Sequence, residues 1–255
     1  MISVSVITVC FNSENSIEAT IRSVLSQDYN NIEYIIIDGM SSDLTMKIIH
    51  EYRANIGIVV SERDRGIYDA INKGITLASG DYIVLLNSND VFYSTSTISN
   101  IVDFHQHNDC PISVADVLIK DTKGQLVRYY SAEFWKSFHL RLGFMPPHQA
   151  VVIRKDIFNS YGVYSLDYKI AADYEYLVRL LLRNRLVYKY SPEVRTIMSS
   201  GGVSSQGFSS YKEISREIID ILGYRNIFLV AIVYFRILPK LLSSKFYKLK
   251  LRVKS

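Results

Sequence analysis

Asn87-Ser88-Asn89-Asp90 follows directly on the apolar run Tyr82-Ile83-Val84-Leu85-Leu86, so one carboxylate and two amides emerge where a strand ends. A carboxylate in that position can hold Mg²⁺ or Mn²⁺, hard cations that take oxygen ligands and bridge to substrate phosphates. Taken alone, the tetrapeptide reads equally well as an Asx turn closing a strand. Three more polar clusters stand at comparable places: Phe11 to Glu14, Asp38 to Asp43 and Ser61 to Asp64 each follow an apolar run. Polar turn residues belong between any strand and helix. Together, however, the clusters converge on the crevice that an open α/β sheet forms outside the carboxyl ends of its strands.

The elements that must position these clusters follow from apolar spacing. Val4 to Val9 is short and β-branched and reads as a buried strand. Glu33 to Ile37, Ile56 to Val60 and Tyr82 to Leu86 read as three more. After the turn and cap residues Asn12 to Glu14, the positions Ile17, Thr20, Ile21, Val24 and Leu25 recur at helical spacing. Met46, Ile48 and Ile49 form the apolar side of a second helix behind Ser41 to Thr45, and Asp69 to Leu77 reads as a third. This alternation predicts an α/β fold with right-handed crossovers, a Rossmann-like, mostly parallel sheet flanked by helices. Beyond Val91 the pattern is less regular. Ile112 to Val114 and Leu126 to Tyr130 flank a turn at Asp121 to Gly124, and Pro146-Pro147-His148-Gln149 leads stiffly into a strand at Ala150 to Ile153. Asp173 to Leu182 reads as a helix, and Gly201-Gly202-Val203-Ser204 as a loop.

The chain has 255 residues, 48% hydrophobic and 21% charged, enough for one substantial core and unlike a disordered chain. Its two cysteines define neither a disulfide framework nor a zinc site, and Cys10, inside an apolar run, reads as an inert core residue. The N-terminus enters a strand without a basic leader, and no stretch supplies ~20 uninterrupted apolar residues. A cytoplasmic location is the expectation. A nicotinamide-type dinucleotide site is excluded, because Phe11-Asn12-Ser13-Glu14 stands where G-x-G-x-x-G would follow the first strand.

The ordered set of motifs resembles the family 2 glycosyltransferases, which have the glycosyltransferase type A fold. The resemblance rests on Val6 to Asn12 with Glu14, Ile37 to Asp43 with Thr45, Glu62 to Gly74, Gly80-Asp81-Tyr82 and Leu85 to Asp90. It covers roughly residues 3 to 205. Gly66-Ile67-Tyr68-Asp69-Ala70-Ile71-Asn72-Lys73-Gly74, His148-Gln149 and Gly201 to Ser204 look most like the branch that builds bacterial surface polysaccharides, such as the colanic acid transferases. The resemblance implies a nucleoside-diphosphate-sugar donor and a glycan or polyprenyl-diphosphate-linked acceptor, in the making of O-antigen, capsule or exopolysaccharide. It implies a nucleotide-sugar-binding half over 1–95, an acceptor-binding and catalytic half over 96–205, and a helical tail over 206–255.

Residue by residue, the resemblance implies that Asp38 contacts the nucleotide base, with Thr8, Val9 and Phe11 lining its pocket and Glu14 part of the same motif. Asp64 and Lys73 match positions near the nucleotide and diphosphate. Asn87, Ser88 and Asn89 join the donor site, and Asp90 matches the last acid of a D-x-D-like metal motif. With Asn at 87 and 89, that motif keeps a single acid. Asp173 matches the catalytic base of an inverting transfer, the last position of an acidic pair whose first member is Ala172 here. A carboxylate suits the task, since an acceptor hydroxyl is a poor nucleophile until its proton is taken. The same residue also reads as a helix N-terminal carboxylate favoured by the macrodipole. Glu175, two positions on, can pair with Arg179 at helical spacing. His148 and Gln149 are expected to shape the acceptor or diphosphate pocket.

Ile227 to Leu238 is apolar except for Arg236. Then Lys240, Lys245, Lys248, Lys250, Arg252 and Lys254 alternate with Leu, Phe and Tyr. This suits an amphipathic C-terminal tail at an anionic membrane surface, or a helix that packs on the domain or a second copy of the chain. Without a nucleic-acid-binding motif, these basic residues do not make a nucleic-acid binder. A hydrolase or nucleotidyltransferase with the same metal and carboxylate, or a non-catalytic nucleotide- or polysaccharide-binding module, are the competing classes.

Overall fold

The computed structural model describes residues 1–199, 208–225, 230, 231 and 233. Strand β1 (Val4–Cys10) is buried at every position, as a central strand covered on both faces must be. It is followed by α1 (Ile17–Leu25), whose Ile17, Thr20, Ile21 and Val24 are buried while Glu18 and Arg22 pair on the outer side at 2.7 Å. Strand β2 (Ile32–Asp38), helix α2 (Thr45–Glu51), strand β3 (Ile58–Ser61), helix α3 (Ile67–Leu77) and strand β4 (Tyr82–Leu85) complete the regular half. Strand order is β3-β2-β1-β4, every pair parallel, with Val4 opposite Ile32 on one side and Tyr82 on the other.

The sheet does not stop there. It continues through β8 (Val152–Arg154), β6 (Ile112–Lys120), β9 (Tyr188–Ser199) and β5 (Asp90–Phe92), and β7 (Leu126–Tyr130) folds back on β6. Here the pairings are mixed: β8 runs antiparallel to β4 and β6, β9 parallel to β6, and β5 antiparallel to β9. The two faces hold separate cores. Val4, Val6 and Cys10 point to α1, α2 and α4 (Thr97–His107), whereas Ile7 and Val9 point to α3, α5 (Lys155–Tyr161), α6 (Ala172–Leu177) and α7 (Phe208–Leu222). Helix α6 runs on with wider turns through Arg183, where Asn184 donates to the carbonyl of Arg179, five residues back, at 3.0 Å.

Four elements of the irregular half have no counterpart in the spacing analysis: β5, α4, α5 and β9. Strand β5 is three residues long, and its only reason to be extended is the partner strand some hundred residues later. Strand β9 carries Pro192 and alternating Lys, Glu and Arg. The proline lies where the pairing with β6 slips, from Val114 opposite Tyr190 to Asp116 opposite Val194, which is where a sheet tolerates it. Both cysteines are free and buried. Among the described residues, no helix is long and apolar enough to cross a membrane. The loop Gly201 to Ser204 and the basic stretch Lys240 to Lys254 lie outside the described residues, and the apolar stretch Ile227 to Leu238 lies outside them except at 230, 231 and 233.

Helix α3 lies unusually close to β1. A Cβ on Gly74 would fall 2.4 Å from Ile7 Cγ2 and 3.4 Å from Ile37 Cγ1. Gly74→Ala gains about 1 kcal/mol of helix propensity but overpacks this contact by about 1–3 kcal/mol. The expected result is a lower urea midpoint with an unchanged m-value, and an equal or higher midpoint would show that α3 is free to shift.

Candidate active site

The carboxyl ends of β1, β2 and β3 open onto one crevice, and short polar side chains fasten its loops to one another. Asp38, fully buried at the end of β2, accepts from Ser41 N at 2.9 Å, Ser41 Oγ at 2.5 Å and Ser61 Oγ at 2.6 Å. Its carboxylate thus ties the loop after β2 to the end of β3. Asn12, held at φ 47°, accepts from Ser42 N and donates its own N–H to Ser41 Oγ. Ser13 N donates to Thr45 Oγ1 at 2.7 Å, and Ser13 Oγ lies 2.8 Å from Ser88 Oγ. Glu14 accepts from Leu44 N, and Asp43 accepts from both Glu14 N and Thr45 N. Met40, at φ 66° and largely exposed, sits at the apex. Backbone strain of this kind is held only where the surroundings over-determine it.

The floor of the crevice is Gly39. A Cβ there would fall 2.5 Å from Asp64 Oδ2 and 3.4 Å from the Phe11 ring, so Phe11, Gly39 and Asp64 converge on one point. Phe11 is 61% exposed, a large aromatic face with no core to cover it. Asp64 accepts from Gly66 N at 2.9 Å, which sets the turn into α3. Thr8 and Val9 are interior, at 0% and 6% exposure. The period of two in β1 points them to opposite faces, so their side chains cannot line one pocket. Lys73 does not face the crevice as a free cation. It donates to the carbonyl of Arg63 at 3.0 Å, pairs with Glu62 at 2.9 Å and lies 3.8 Å from Asp69.

Asn87, Ser88, Asn89 and Asp90 form a turn closed by Asp90 N on the carbonyl of Asn87. Asn87 and Asn89 are half-buried and Ser88 is buried against Ser13. Asp90 is 2% exposed, the first residue of β5, and Ser199 N donates to its Oδ1 at 3.3 Å. Burial pushes its carboxyl up to about 7. An enclosed carboxylate with so little compensation suits a neighbouring divalent cation, and the oxygen atoms of Asn87, Ser88, Asn89 and Asp90 suit Mg²⁺ or Mn²⁺. Among the described residues no group of three or more His, Cys, Asp or Glu could hold a metal.

The G-I-Y-D-A-x-N-K-G stretch is α3 with its entry turn, and its residues divide by helical face. Ile71, Gly74 and Ile75 meet the sheet, and Asp69 and Lys73 meet the loop 62–65. Tyr68 and Asn72, one turn apart, reach the second half of the chain. Asn72 donates to the carbonyl of Tyr164 at 2.8 Å and accepts from its N–H at 3.0 Å. Tyr68 OH lies 2.6 Å from the carbonyl of Ile170 and 3.2 Å from Asp173 Oδ1. Asp173 is half-buried in the first turn of α6. His148 Nε2 is 2.9 Å from Tyr164 OH, edge-on to that ring. Burial holds its imidazole below the usual range, with the Asp173 charge acting in the opposite sense. Gln149 is half-buried beside it, its carbonyl accepting from Thr196 Oγ1. Glu175 turns away into a buried pair with Arg179 at 2.7 Å. The structure therefore joins Phe11 to Asp64 beside Gly39, and Asp173 to His148 through Tyr68 and Tyr164, with α3 between the two groups, while Lys73 stays paired on the loop 62–65 beside Asp64.

Three residues of this region carry no role in the spacing analysis. Tyr68 stands inside the motif but looks like a filler at a helix start, Tyr164 lies in an irregular loop, and Glu217 is an ordinary charge on α7. Glu217 accepts the N–H groups of Lys169, Ile170 and Ala171 at 2.9, 3.1 and 2.8 Å, and so fixes the segment that leads to Asp173.

The sequence profile described as Glycosyl transferase family 2 matches residues 5–161, well over half of the chain. A PGL/p-HBAD biosynthesis glycosyltransferase of Mycobacterium tuberculosis is 28% identical over 192 residues, 73% of this chain and 72% of that protein. A second protein of that organism, known only as an uncharacterized glycosyltransferase, is 34% identical over 184 residues, 70% of this chain and 69% of its own. Among solved structures, S. aureus TarS 1-349 in complex with UDP-GlcNAc is similar with a TM-score of 0.67 at 18% identity, over 86% of this chain and 66% of that one. The mannosyltransferase PcManGT of Pyrobaculum calidifontis, in complex with GDP-Man and Mn²⁺, is similar with a TM-score of 0.61 at 16% identity, over 91% of this chain and 73% of that one. At these identities the likeness is one of fold, the glycosyltransferase type A arrangement of a mixed sheet between helices.

Asp90 makes the electrostatics of this site testable. Its folded value of about 7 lies above the ordinary carboxylate value of about 3.9, so the fold favours the protonated form. That stabilisation is full below about pH 4 and is lost as pH rises through about 7. Asp90→Asn is expected to melt above the wild type at pH 8, with the difference vanishing near pH 4. Mn²⁺ added with a nucleoside diphosphate at pH 8 is expected to raise the melting temperature of the wild type but not of Asp90→Asn. Equal curves at both pH values would mean that Asp90 is solvated.

Proposed function

The chain belongs to glycosyl transferase family 2, and from that premise we propose that it moves a sugar, with inversion, from a nucleoside diphosphate to an acceptor hydroxyl. The acceptor is a glycan or a polyprenyl-diphosphate-linked glycan, and the product a bacterial surface polysaccharide. The observation that carries this reading is α3, which links the Phe11–Gly39–Asp64 crevice to Asp173. Asp64 stands two residues before Gly66 at its entry, and Tyr68 in its first turn meets the Asp173 carboxylate. Hydrogen bonds from one helix and its entry turn to both the crevice and the base favour a fixed separation between them, which an in-line displacement requires.

In this reading the exposed Phe11 ring and Asp64 receive the nucleoside. Asp173 takes the proton of the acceptor hydroxyl as its oxygen attacks the anomeric carbon, and the nucleoside diphosphate departs from the opposite face. His148, kept neutral by burial, bounds the reacting region as a hydrogen-bonding wall and not as a cation. Asp90, with Asn87 and Asn89 beside it, would hold Mg²⁺ or Mn²⁺ on the diphosphate, and the ion would supply charge stabilisation for the leaving group. The UDP-GlcNAc complex of TarS and the GDP-Man and Mn²⁺ complex of PcManGT support a nucleotide-sugar donor and a divalent ion. The basic, apolar tail suits contact with anionic lipid at the inner face of the cell membrane, where a lipid-linked acceptor would be met.

The experiment is a thermal-shift panel of UDP, GDP and dTDP with and without Mn²⁺, followed by assay of the matching nucleotide sugars. The expected outcome is a rise in melting temperature with one nucleotide, larger with Mn²⁺. Asp173→Asn is expected to lower kcat by about 10²–10⁴-fold while donor affinity changes by less than about twofold. Retained turnover would remove Asp173 from the mechanism, and no response to any nucleotide would overturn the transferase reading.

A further inference from the structure

Asp173 has two carboxylate oxygens in unlike surroundings. Oδ1 accepts the N–H of Tyr174 at 2.7 Å and lies 3.2 Å from Tyr68 OH, while Oδ2 has no protein donor among the described residues. Tyr68 has one hydroxyl proton and two acceptors, the nearer being the carbonyl of Ile170 at 2.6 Å. It therefore spans the turn before α6, touching the backbone at its start and the carboxylate at its end. The same turn is held from the other side by Glu217, which takes the three N–H groups of 169–171. The Tyr68 ring is itself seated, stacked on Tyr164 at 5.9 Å and 9% exposed.

We propose that Tyr68 is a positioning residue for the transfer: its hydroxyl clamps the carbonyl of Ile170 and Oδ1 of Asp173, leaving Oδ2 as the oxygen that takes the acceptor's proton. The inference rests on the reading of Asp173 as the base. In the step itself the acceptor O–H bond breaks and its proton passes to Oδ2, the oxygen bonds the anomeric carbon, and the anomeric carbon–oxygen bond to the nucleoside diphosphate breaks, its electron pair leaving on the diphosphate. Tyr68 transfers no proton. It removes the freedom of the carboxylate to rotate.

The test is Tyr68→Phe in the full chain, assayed as nucleoside diphosphate release from the sugar nucleotide that responds in the thermal-shift panel, with water as acceptor. The expected result is a fall in kcat of about 10-fold or more with an unchanged donor KM. Adding Tyr68→Phe to Asp173→Asn is expected to cost no further activity, because the clamp then has no base to hold. An unchanged kcat would overturn the proposal. A fall in kcat that merely follows loss of folded protein, or a further loss when Tyr68→Phe is added to Asp173→Asn, would overturn it as well. Turnover retained by Asp173→Asn would instead strike the reading of Asp173 as the base, so the two failures are separable.

Discussion

A hydrogen atom in place of a side chain at Gly74 lets α3 lie against Ile7 of β1 at a separation no other residue allows. The rest of the site is arranged around that contact. An α-helix presents a new face every hundred degrees, so a helix pinned to the sheet along Ile71, Gly74 and Ile75 must send its other residues in fixed directions. Asp69 and Lys73 go to the loop 62–65, and Tyr68 and Asn72 go to the segment 164–173. The Phe11–Gly39–Asp64 cluster and the carboxylate proposed as base are then both tied to α3, although more than a hundred residues separate them in sequence.

Two buried aspartates show how neighbours decide what a carboxylate can do. Asp38 and Asp90 are both almost without solvent contact. Asp38 is surrounded by Ser41 and Ser61, whose donors satisfy its charge and turn it into a fastening for the crevice walls. Asp90 has the N–H of Ser199, at 3.3 Å, to set against its burial, and its carboxyl rises to about 7. A carboxylate already satisfied by protein has little to offer a ligand, and one held short of positive charge has much. The contrast separates Asp38, whose donors come from the loops it joins, from Asp90, whose carboxyl is raised by burial.

The regular half of the chain was legible because its signals are local. Four β-branched runs and three helical repeats announced β1 to β4 and α1 to α3 within a residue or two, and polar turn residues marked the strand ends. The irregular half was less so. Strand β9 contains a proline and charges, and β5 is three residues long. Each is a strand because a partner's ladder meets it, and no window of sequence contains that partner. The apolar positions Ile98, Ile101 and Val102 of α4 do carry helical spacing, but a single turn and a half of it is short of a decisive period.

By itself the sequence determined the family, the parallel half of the sheet and the short set of polar residues from which a site must be drawn. Local periodicity and motif order suffice for these, since each is written within a few dozen residues. Tertiary structure alone decided which members of that set meet. It sent Thr8 and Val9 to opposite faces of β1, neutralised Lys73 against Glu62, and turned Glu175 into a buried pair with Arg179. It also brought Tyr68 to Asp173 and Glu217 to the turn beneath it. The physical reason is that side-chain direction and pairing depend on distance in space, which the close seat of α3 on the sheet sets and chain order does not.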